Sequence, residues 1–451
     1  LDARACPAHP AQQQKAKAEE EEDDDLSPPM RARSSWRLLA ARPSPRPVIP
    51  RDLHRMTASA STPTHLADAE RVAAASAQRA ASDGALRGAD LLSRLRAVYD
   101  TSGACGARIH SQTSVHVQRE EGVEFVLRVL PALKAKPQGG GGAGGAAKGG
   151  AKPPPPQTNP FLPYDPRLFV SNLSPTHCLL LNKFDVVPLH SLVVTRDFEA
   201  QTEPLNARDL GATWAAMAAL AAAEASAPSR DGAGGAAAGD DTGALAFYNC
   251  GEHSGRSQPH KHVQVVPLPF LGEGEEGDGG DGGAPIGAIV RRALEEAEEE
   301  AQKQGSSPAV AELRALPFRA YAARAPPLPT REQEEEGEGG QGAFAALERA
   351  LDALVARCAA DCGAGAPAPS YNLLLTGGWA VAVPRRSERD RPEPHEGEEQ
   401  EAGGGGGGGG VSVAVNALGF AGTLLCKSAG ELDHVRRKGA MRVLADAGWP
   451  W

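Results

Sequence analysis

Gln258-Pro259-His260-Lys261-His262-Val263-Gln264-Val265-Val266-Pro267 is the stretch around which the rest of the chain is best read. It runs His-x-His-x-Gln, with apolar residues at the later alternate positions, and a period of two predicts a strand. Successive side chains of a strand point to opposite faces. His260, His262 and Gln264 are therefore expected on one face, with Lys261, Val263 and Val265 on the other. Two imidazoles and a carboxamide in a row suit three chemistries. They can ligate a metal, given a further ligand such as His253, His177 or His190. They can grip phosphate. One of them can act as a nucleophile, since imidazole is largely neutral near pH 7. A bland reading also stands: two histidines on a half-buried strand.

The flank before this strand, Asn249-Cys250-Gly251-Glu252-His253-Ser254-Gly255-Arg256-Ser257-Gln258, is polar and lies between two predicted strands. Gly251 and Gly255 would let backbone amides approach a ligand closely. Asn249, Ser254, Ser257 and Gln258 offer uncharged hydrogen bonds, and Arg256 adds charge. That set suits a polyphosphate cradle; it equally suits a solvated hairpin loop. A second glycine-rich stretch, Gly144 to Gly149, is a different matter. Its Lys148 is followed by Gly and no strand precedes it, so it lacks the requirements of a phosphate loop and reads as linker.

Outward from the motif, the apolar pattern predicts helix over 66–99, interrupted at Asp83-Gly84, and a hairpin over 111–131 turning at Glu120-Glu121-Gly122. Asn159 to Tyr164 reads as rigid and extended. Strands are expected at 176–182, 190–195 and 243–249, with an Ala-rich helix over 207–226 between the last two. Beyond the motif, a helix is expected at 286–304, a strand at 316–321, a helix at 343–359, strands at 371–376, 379–384 and 411–415, and a terminal helix near 430–446. Tracts rich in Gly, Glu or Pro at 138–157, 231–241, 272–283, 332–342 and 403–410 separate these elements, as surface insertions would.

Composition narrows the class. The formal net charge of the 451 residues is -10, but 24 of the 57 acidic residues sit in four patches, 19–25, 273–281, 332–338 and 388–401. The remainder is net basic and can accept an anionic ligand. The seven cysteines show no Cys-x-x-Cys pair, and Cys358 with Cys362 alone would make a poor zinc site; ordinary thiols in a reducing compartment are expected. The longest apolar run, Trp214 to Ala223, is about half a membrane span, so no membrane partner is expected. Residues 1–65 are expected to be a disordered leader. Its Arg-rich, acid-poor part from Met30 has the character of an organelle transit peptide, while a start at Met56 would favour the cytoplasm.

Taken together, Tyr248-Asn249-x-Gly251, Ser254-Gly255-x-Ser257-Gln258-Pro259-His260-Lys261-His262-x-Gln264, Asn159-Pro-Phe-Leu-Pro-Tyr164, Leu173-Ser-Pro-Thr-His177, Leu181-Asn-Lys-Phe184, Gln201-Thr-Glu203, Tyr371-Asn-Leu-Leu-Leu-Thr376, Trp379, Val383-Pro-Arg385 and Asn416-Ala-Leu-Gly-Phe-Ala-Gly422 resemble the diadenosine tetraphosphate phosphorylases, or ATP adenylyltransferases. These belong to the histidine-triad and galactose-1-phosphate uridylyltransferase superfamily. The resemblance covers about residues 85–446. It implies an α+β fold, an antiparallel sheet of the histidine-triad (HIT-like) type with flanking helices and long disordered insertions. An N-terminal catalytic region at 66–270 would be completed by a C-terminal region at 271–451.

The resemblance further implies a transferase working through an adenylyl-histidine. His262 would be the nucleophile, Gln264 a ligand of the α-phosphate, and His260 a buttress. Asn249, Gly255, Arg256, Ser257 and Gln258 would line the phosphates, and Asn182, Lys183, Asn372 and Thr376 would be further substrate contacts. An early substrate-contacting Lys has two candidates, Lys134 and Lys136. Glu252-His253 depart from the family pattern. No protein-bound metal is implied, and a divalent cation such as Mg2+ is the one open cofactor. The partners would be small nucleotides, namely diadenosine tetraphosphate, ATP, ADP and phosphate, with no nucleic acid and no membrane. A GDP-hexose phosphorylase, which also uses His-x-His-x-Gln, and a nucleotide sensor without turnover are the rivals.

Overall fold

A computed structural model describes residues 85–130, 159–225, 243–271, 282–306, 310–325, 339–362, 369–393 and 410–451. The expectations for the leader 1–65, the helix before Gly84, Lys134, Lys136 and most of the Gly-, Glu- and Pro-rich tracts lie outside these residues.

In chain order, helix α1 (Gly88–Ala104) leads into a hairpin of β1 (Ser114–Glu120) and β2 (Val123–Val129). Glu121 and Gly122 join them with φ of 50° and 81°, the left-handed pair that a two-residue hairpin turn demands. Three strands follow: β3 (Phe169–Asn172), β4 (His177–Leu181) and β5 (Ser191–Thr195). Helix α2 (Ala207–Ala225) then leads to β6 (Ala244–Cys250) and β7 (His262–Pro267). The second half holds α3 (Gly287–Lys303), β8 (Ala311–Glu312), β9 (Tyr321–Arg324), α4 (Gly339–Asp361), β10 (Tyr371–Leu375) and β11 (Trp379–Pro384). It ends with α5 (Ala417–Ala421), β12 (Thr423–Cys426), α6 (Ala429–Lys438) and α7 (Ala440–Ala447).

Nine strands form one sheet in the order β3-β4-β5-β7-β6-β10-β11-β9-β8, antiparallel at every junction. The expected boundary at 270/271 does not interrupt it, because β6 pairs with β10 with Asn249 opposite Asn372. A second sheet, β1-β2-β12, joins β12 to β2 in parallel, so the first hairpin is also tied to the C-terminal part of the chain.

Both faces of the large sheet are covered. Leu245 and Phe247 of β6 enter one core with Leu374 and Val381, while Ala246 and Tyr248 enter the other with Leu373, Leu375 and Ala382. Strands buried on both faces read as continuous apolar runs, as β6, β10 and β11 do. The second of these cores receives α1, α2 and α4; the first receives the small sheet, α3 and the C-terminal helices. Towards β3, β4 and β5 the first core stops. A small cluster of Phe161, Phe169, Cys178, Leu180, Leu192 and Val194 takes its place and forms the floor of a cleft.

Several expectations need correction. Within Asn159 to Tyr164, residues 160–163 are turn, not extended chain, because the Asn159 side chain accepts the Phe161 N–H at 3.0 Å and bends the backbone. Leu316 to Ala320 is bend and irregular chain; β9 begins only at Tyr321, after Leu313 N–H has closed onto Ala320 O at 2.9 Å. Residues 411–415 make an isolated bridge, Arg389 to Ala414, rather than a strand. Gly439, with φ of 90°, divides the terminal helix into α6 and α7. Three short strands, β3, β8 and β12, add to those expected from the sequence.

Candidate active site

The strand β7 begins at His262, later than its alternating pattern predicts, and His260 sits in an isolated bridge to Ala200. The expected division of faces nonetheless holds in space. Val263 and Val265 pack into the core under α2. Lys261, also on that side, is buried with its Nζ 2.7 Å from Asp209 Oδ2 and 3.3 Å from Glu199 Oε2. Asp209 in turn lies 2.9 Å from His177 Nε2. Burial alone would raise the Asp209 carboxyl, but hydrogen bonds from His177 and Lys261 outweigh it and hold the group below its ordinary range. This buried cluster pins the start of β7 to α2 from behind.

His262 and Gln264 face the other way, into a cleft of about 1000 Å³. Phe161, Tyr164, Leu168, Leu180, Phe184 and Leu192 give it a broad apolar side, and Ser257, Gln258, Asn182 and Lys183 supply its polar groups. The Phe161 ring lies 5.3 Å from that of His262 and 5.5 Å from that of His260.

Hydrogen bonds settle the state of His262. Its Nδ1 lies 2.8 Å from the carbonyl of His260, which can only accept, so Nδ1 carries the proton. Nε2 keeps its lone pair and has no hydrogen-bond partner among the described residues. Burial pushes the pKa of His262 down to about 4, so the ring is neutral at pH 7. A neutral imidazole with a bare Nε2 at the side of an open cleft is what nucleophilic attack on phosphorus requires.

The backbone of His262 is held just as firmly. Pairing between β6 and β7 ends at Phe247 opposite Gln264. Beyond that point the buried carboxamide of Gln201 fills the gap: its Oε1 accepts His262 N–H at 2.8 Å, and its Nε2 donates to His262 O at 3.2 Å and Asn249 O at 3.0 Å. The chain separation of 61 residues hides this contact from any local pattern.

Family models match the chain in two blocks. The Ap4A phosphorylase N-terminal domain matches residues 81–225 and 228–277, and the ATP adenylyltransferase C-terminal domain matches residues 314–450. The chain belongs to this family. Among curated proteins it is 38% identical over 117 residues to diadenosine 5',5'''-P1,P4-tetraphosphate phosphorylase 2 of Saccharomyces cerevisiae, a match covering 25% of this chain and 32% of that one. It is 36% identical over 91 residues to Protein APA1 of the same organism, covering 20% of this chain and 24% of that one. The aligned stretches thus span about a third and about a quarter of these relatives. The crystal structure of yeast Ap4A phosphorylase Apa2 in complex with Ap4A superposes with a TM-score of 0.54 at 20% identity, covering 81% of this chain and 99% of that one. The AMP complex of the same yeast protein gives 0.52. At that identity the likeness concerns the fold, which is mixed α+β as expected.

Within this family framework the other expected site residues divide into two groups. Asn182, Lys183, Ser257, Gln258, His262 and Gln264 line the cleft. Gly255 lines a smaller cavity of about 290 Å³ that adjoins it across Asn182, Phe184 and Gln264. The remainder stand behind. Asn249 Oδ1 accepts from Asn372 Nδ2 at 2.8 Å and from Ala417 N–H at 3.0 Å, so these two groups are satisfied within the protein. Arg385, fully buried, donates to Asn372 Oδ1 and to the carbonyls of Ser254, Ser387, Val415 and Ala447. Arg256 Nε donates to Gly251 O at 3.1 Å. Thr376 Oγ1 accepts the Gly378 and Trp379 N–H groups in the β10–β11 turn, outside both cavities. His260 is held on both ring nitrogens: its Nε2 lies 2.8 Å from Thr195 O, and its Nδ1 lies 3.0 Å from Asn159 Nδ2.

The two loop glycines also act differently from expectation. A Cβ on Gly251 would lie 2.7 Å from Ser370 Cα, and one on Gly255 2.7 Å from Val415 O, both at positive φ. They admit the C-terminal half of the chain at close range. For a protein-bound divalent cation the donor set fits poorly. Asp165, the one carboxylate among the residues lining either cavity, is engaged through both oxygens by Arg167.

Proposed function

We propose that this protein is a nucleotidylyltransferase that phosphorolyses diadenosine tetraphosphate to ATP and ADP, reversibly, through an adenylyl-histidine. The carrying observation is the neutral His262 with Nδ1–H on the His260 carbonyl and Nε2 left for the cleft. The names of the yeast relatives, and the Ap4A and AMP bound in the yeast structures, supply the substrate class.

The chain's own groups would act as follows. An adenine seats against the apolar side formed by Phe161, Tyr164, Leu180 and Phe184. His262 Nε2 attacks the α-phosphorus, an N–P bond forms, and the P–O bond to the β-phosphate breaks. The electron pair leaves with ATP. The imidazolium so created keeps its Nδ1–H on the His260 carbonyl, which stabilises the new positive charge. Gln264 holds the α-phosphate oxygens. Phosphate oxygen then attacks the same phosphorus, the N–P bond breaks, ADP leaves, and neutral His262 is restored. Positioning and charge stabilisation carry such a reaction.

The test is to incubate the purified protein with diadenosine tetraphosphate and phosphate and to resolve the nucleotides. ATP plus ADP supports the reading. Two ADP would make it a symmetrical hydrolase, and tight binding without product would make it a sensor. Faster turnover of a GDP-hexose with phosphate would move it to the neighbouring branch.

A further inference from the structure

A carboxamide that serves an anion must present its NH2 end, because its carbonyl end repels phosphate oxygens. Nothing in Gln264 itself chooses between the two ends. The choice is made behind it. The Phe184 backbone N–H, which can only donate, donates to Asn182 Oδ1 at 3.1 Å. Asn182 must then turn Nδ2 towards His190, whose Nδ1 lies 3.3 Å away and accepts. With Nδ1 accepting, the neutral ring carries its proton on Nε2, and Nε2 lies 3.0 Å from Gln264 Oε1. The carbonyl end of Gln264 is thereby occupied, and the NH2 end is left for the cleft. Each link can run in one direction only, because the first donor is a backbone amide.

We infer that His190 is a positioning residue which, anchored through Asn182 to the Phe184 backbone, orients the Gln264 carboxamide so that its NH2 group meets the α-phosphate. His190 is itself buried, with its ring 5.9 Å from that of Phe247. Burial pushes its pKa down to about 4, which preserves the neutral ring that both accepts and donates. The relay rests on the reading of His262 and Gln264 given above, so its test separates the two.

Steady-state phosphorolysis of diadenosine tetraphosphate is to be compared for the wild type, His190→Gln, His190→Phe, Gln264→Ala and the double variant His190→Phe/Gln264→Ala. His190→Phe should lower kcat by about 10- to 100-fold with KM within about threefold, since the lost alignment matters most where charge develops. His190→Gln, whose Nε2 can donate in place of the imidazole Nε2, should stay within about fivefold of wild type. In the Gln264→Ala background, His190→Phe should change kcat by no more than about twofold. Wild-type kcat in His190→Phe, equal losses in His190→Gln and His190→Phe, or additive losses in the double variant would overturn the relay. A second measurement does not depend on activity or on any variant. Long-range proton–nitrogen NMR correlations of the histidines at pH 7 should show His190 protonated on Nε2 and bare on Nδ1. The opposite tautomer sinks the inference even in an active enzyme, and the expected tautomer in an enzyme that makes no ATP leaves the relay standing while the proposed reaction fails.

Discussion

Two turns in this protein share one local grammar and do different work. In Asn159-Pro160-Phe161, the Asn side chain accepts the N–H two residues on and donates to a histidine Nδ1, that of His260. In Asn182-Lys183-Phe184, the same pattern ends on His190 Nδ1. Both phenylalanines line the cleft. The difference lies at the far nitrogen. His260 Nε2 meets the Thr195 backbone carbonyl, so the first chain of bonds ends in scaffold and holds the residue whose carbonyl polarises His262. His190 Nε2 meets the Gln264 side chain, so the second ends in the cleft. A short motif thus supplies an oriented imidazole, and the tertiary partner of that imidazole assigns its task.

The contrast can be attacked from its most sensitive point outward. His262→Ala removes the group both turns serve; kcat should fall by about 10^4-fold or more, and no adenylyl-protein should be trapped on mixing with substrate. A variant that turns over normally would end the mechanism. Gln264→Ala should lower kcat by about 10^2- to 10^3-fold, the usual cost of one donor at a developing oxyanion, read by the same assay.

Acid should act on the histidines together. His190 and His262 have folded pKa values pushed down by burial to about 4, below the roughly 6.5 of an unfolded chain. Between those values the unfolded state binds more protons than the folded one. Stability therefore rises with pH through this window, is fully present above about 6.5, and is lost as pH falls towards 4, by up to about 3 kcal/mol per histidine. Denaturant melts at pH 7.5, 6.0 and 5.0 would show it, and a midpoint independent of pH would contradict it.

Among the smaller effects, Asn182→Ala should cost kcat about tenfold, because His190 loses the donor that fixes its tautomer. Asn159→Ala should instead appear mainly as lost stability, about 1 kcal/mol in a thermal or denaturant melt, with kcat within about threefold. If the two Asn variants lose activity equally, the division between scaffold turn and cleft turn is wrong.

Much of this site is legible in the chain because its core is contiguous. His262, Gln264, Ser257 and Gln258 lie within eight residues, and the alternation of β7 separates Lys261 and Val263 from the cleft-facing pair. Asn182 and Lys183 are picked out by the resemblance, through the Leu181–Phe184 motif, and strand β4 ends just before them. Other assignments depended on contacts that no spacing encodes. Asn249, Asn372 and Arg385 have the chemistry of phosphate ligands, but β6–β10 pairing turns them towards one another, where each satisfies the next. In the sequence Gln201 is visible only as part of the Gln201-Thr-Glu203 motif, with no role attached, and His190 only as a spare metal ligand. Their partners lie 61 and 74 residues away.

By itself, then, the sequence determined the period-two face that carries His262 and Gln264, the alternation of apolar runs with turn-forming tracts, and the family. These depend on neighbours along the chain, where the geometry of a strand or a turn acts directly. The tertiary structure decided which imidazole nitrogen holds the proton, which end of Gln264 faces the cleft, and which polar residues line it. These are properties of hydrogen-bond partners brought together by the pairing of β5, β7, β6 and β10, and a donor has no assigned direction until its acceptor is in place.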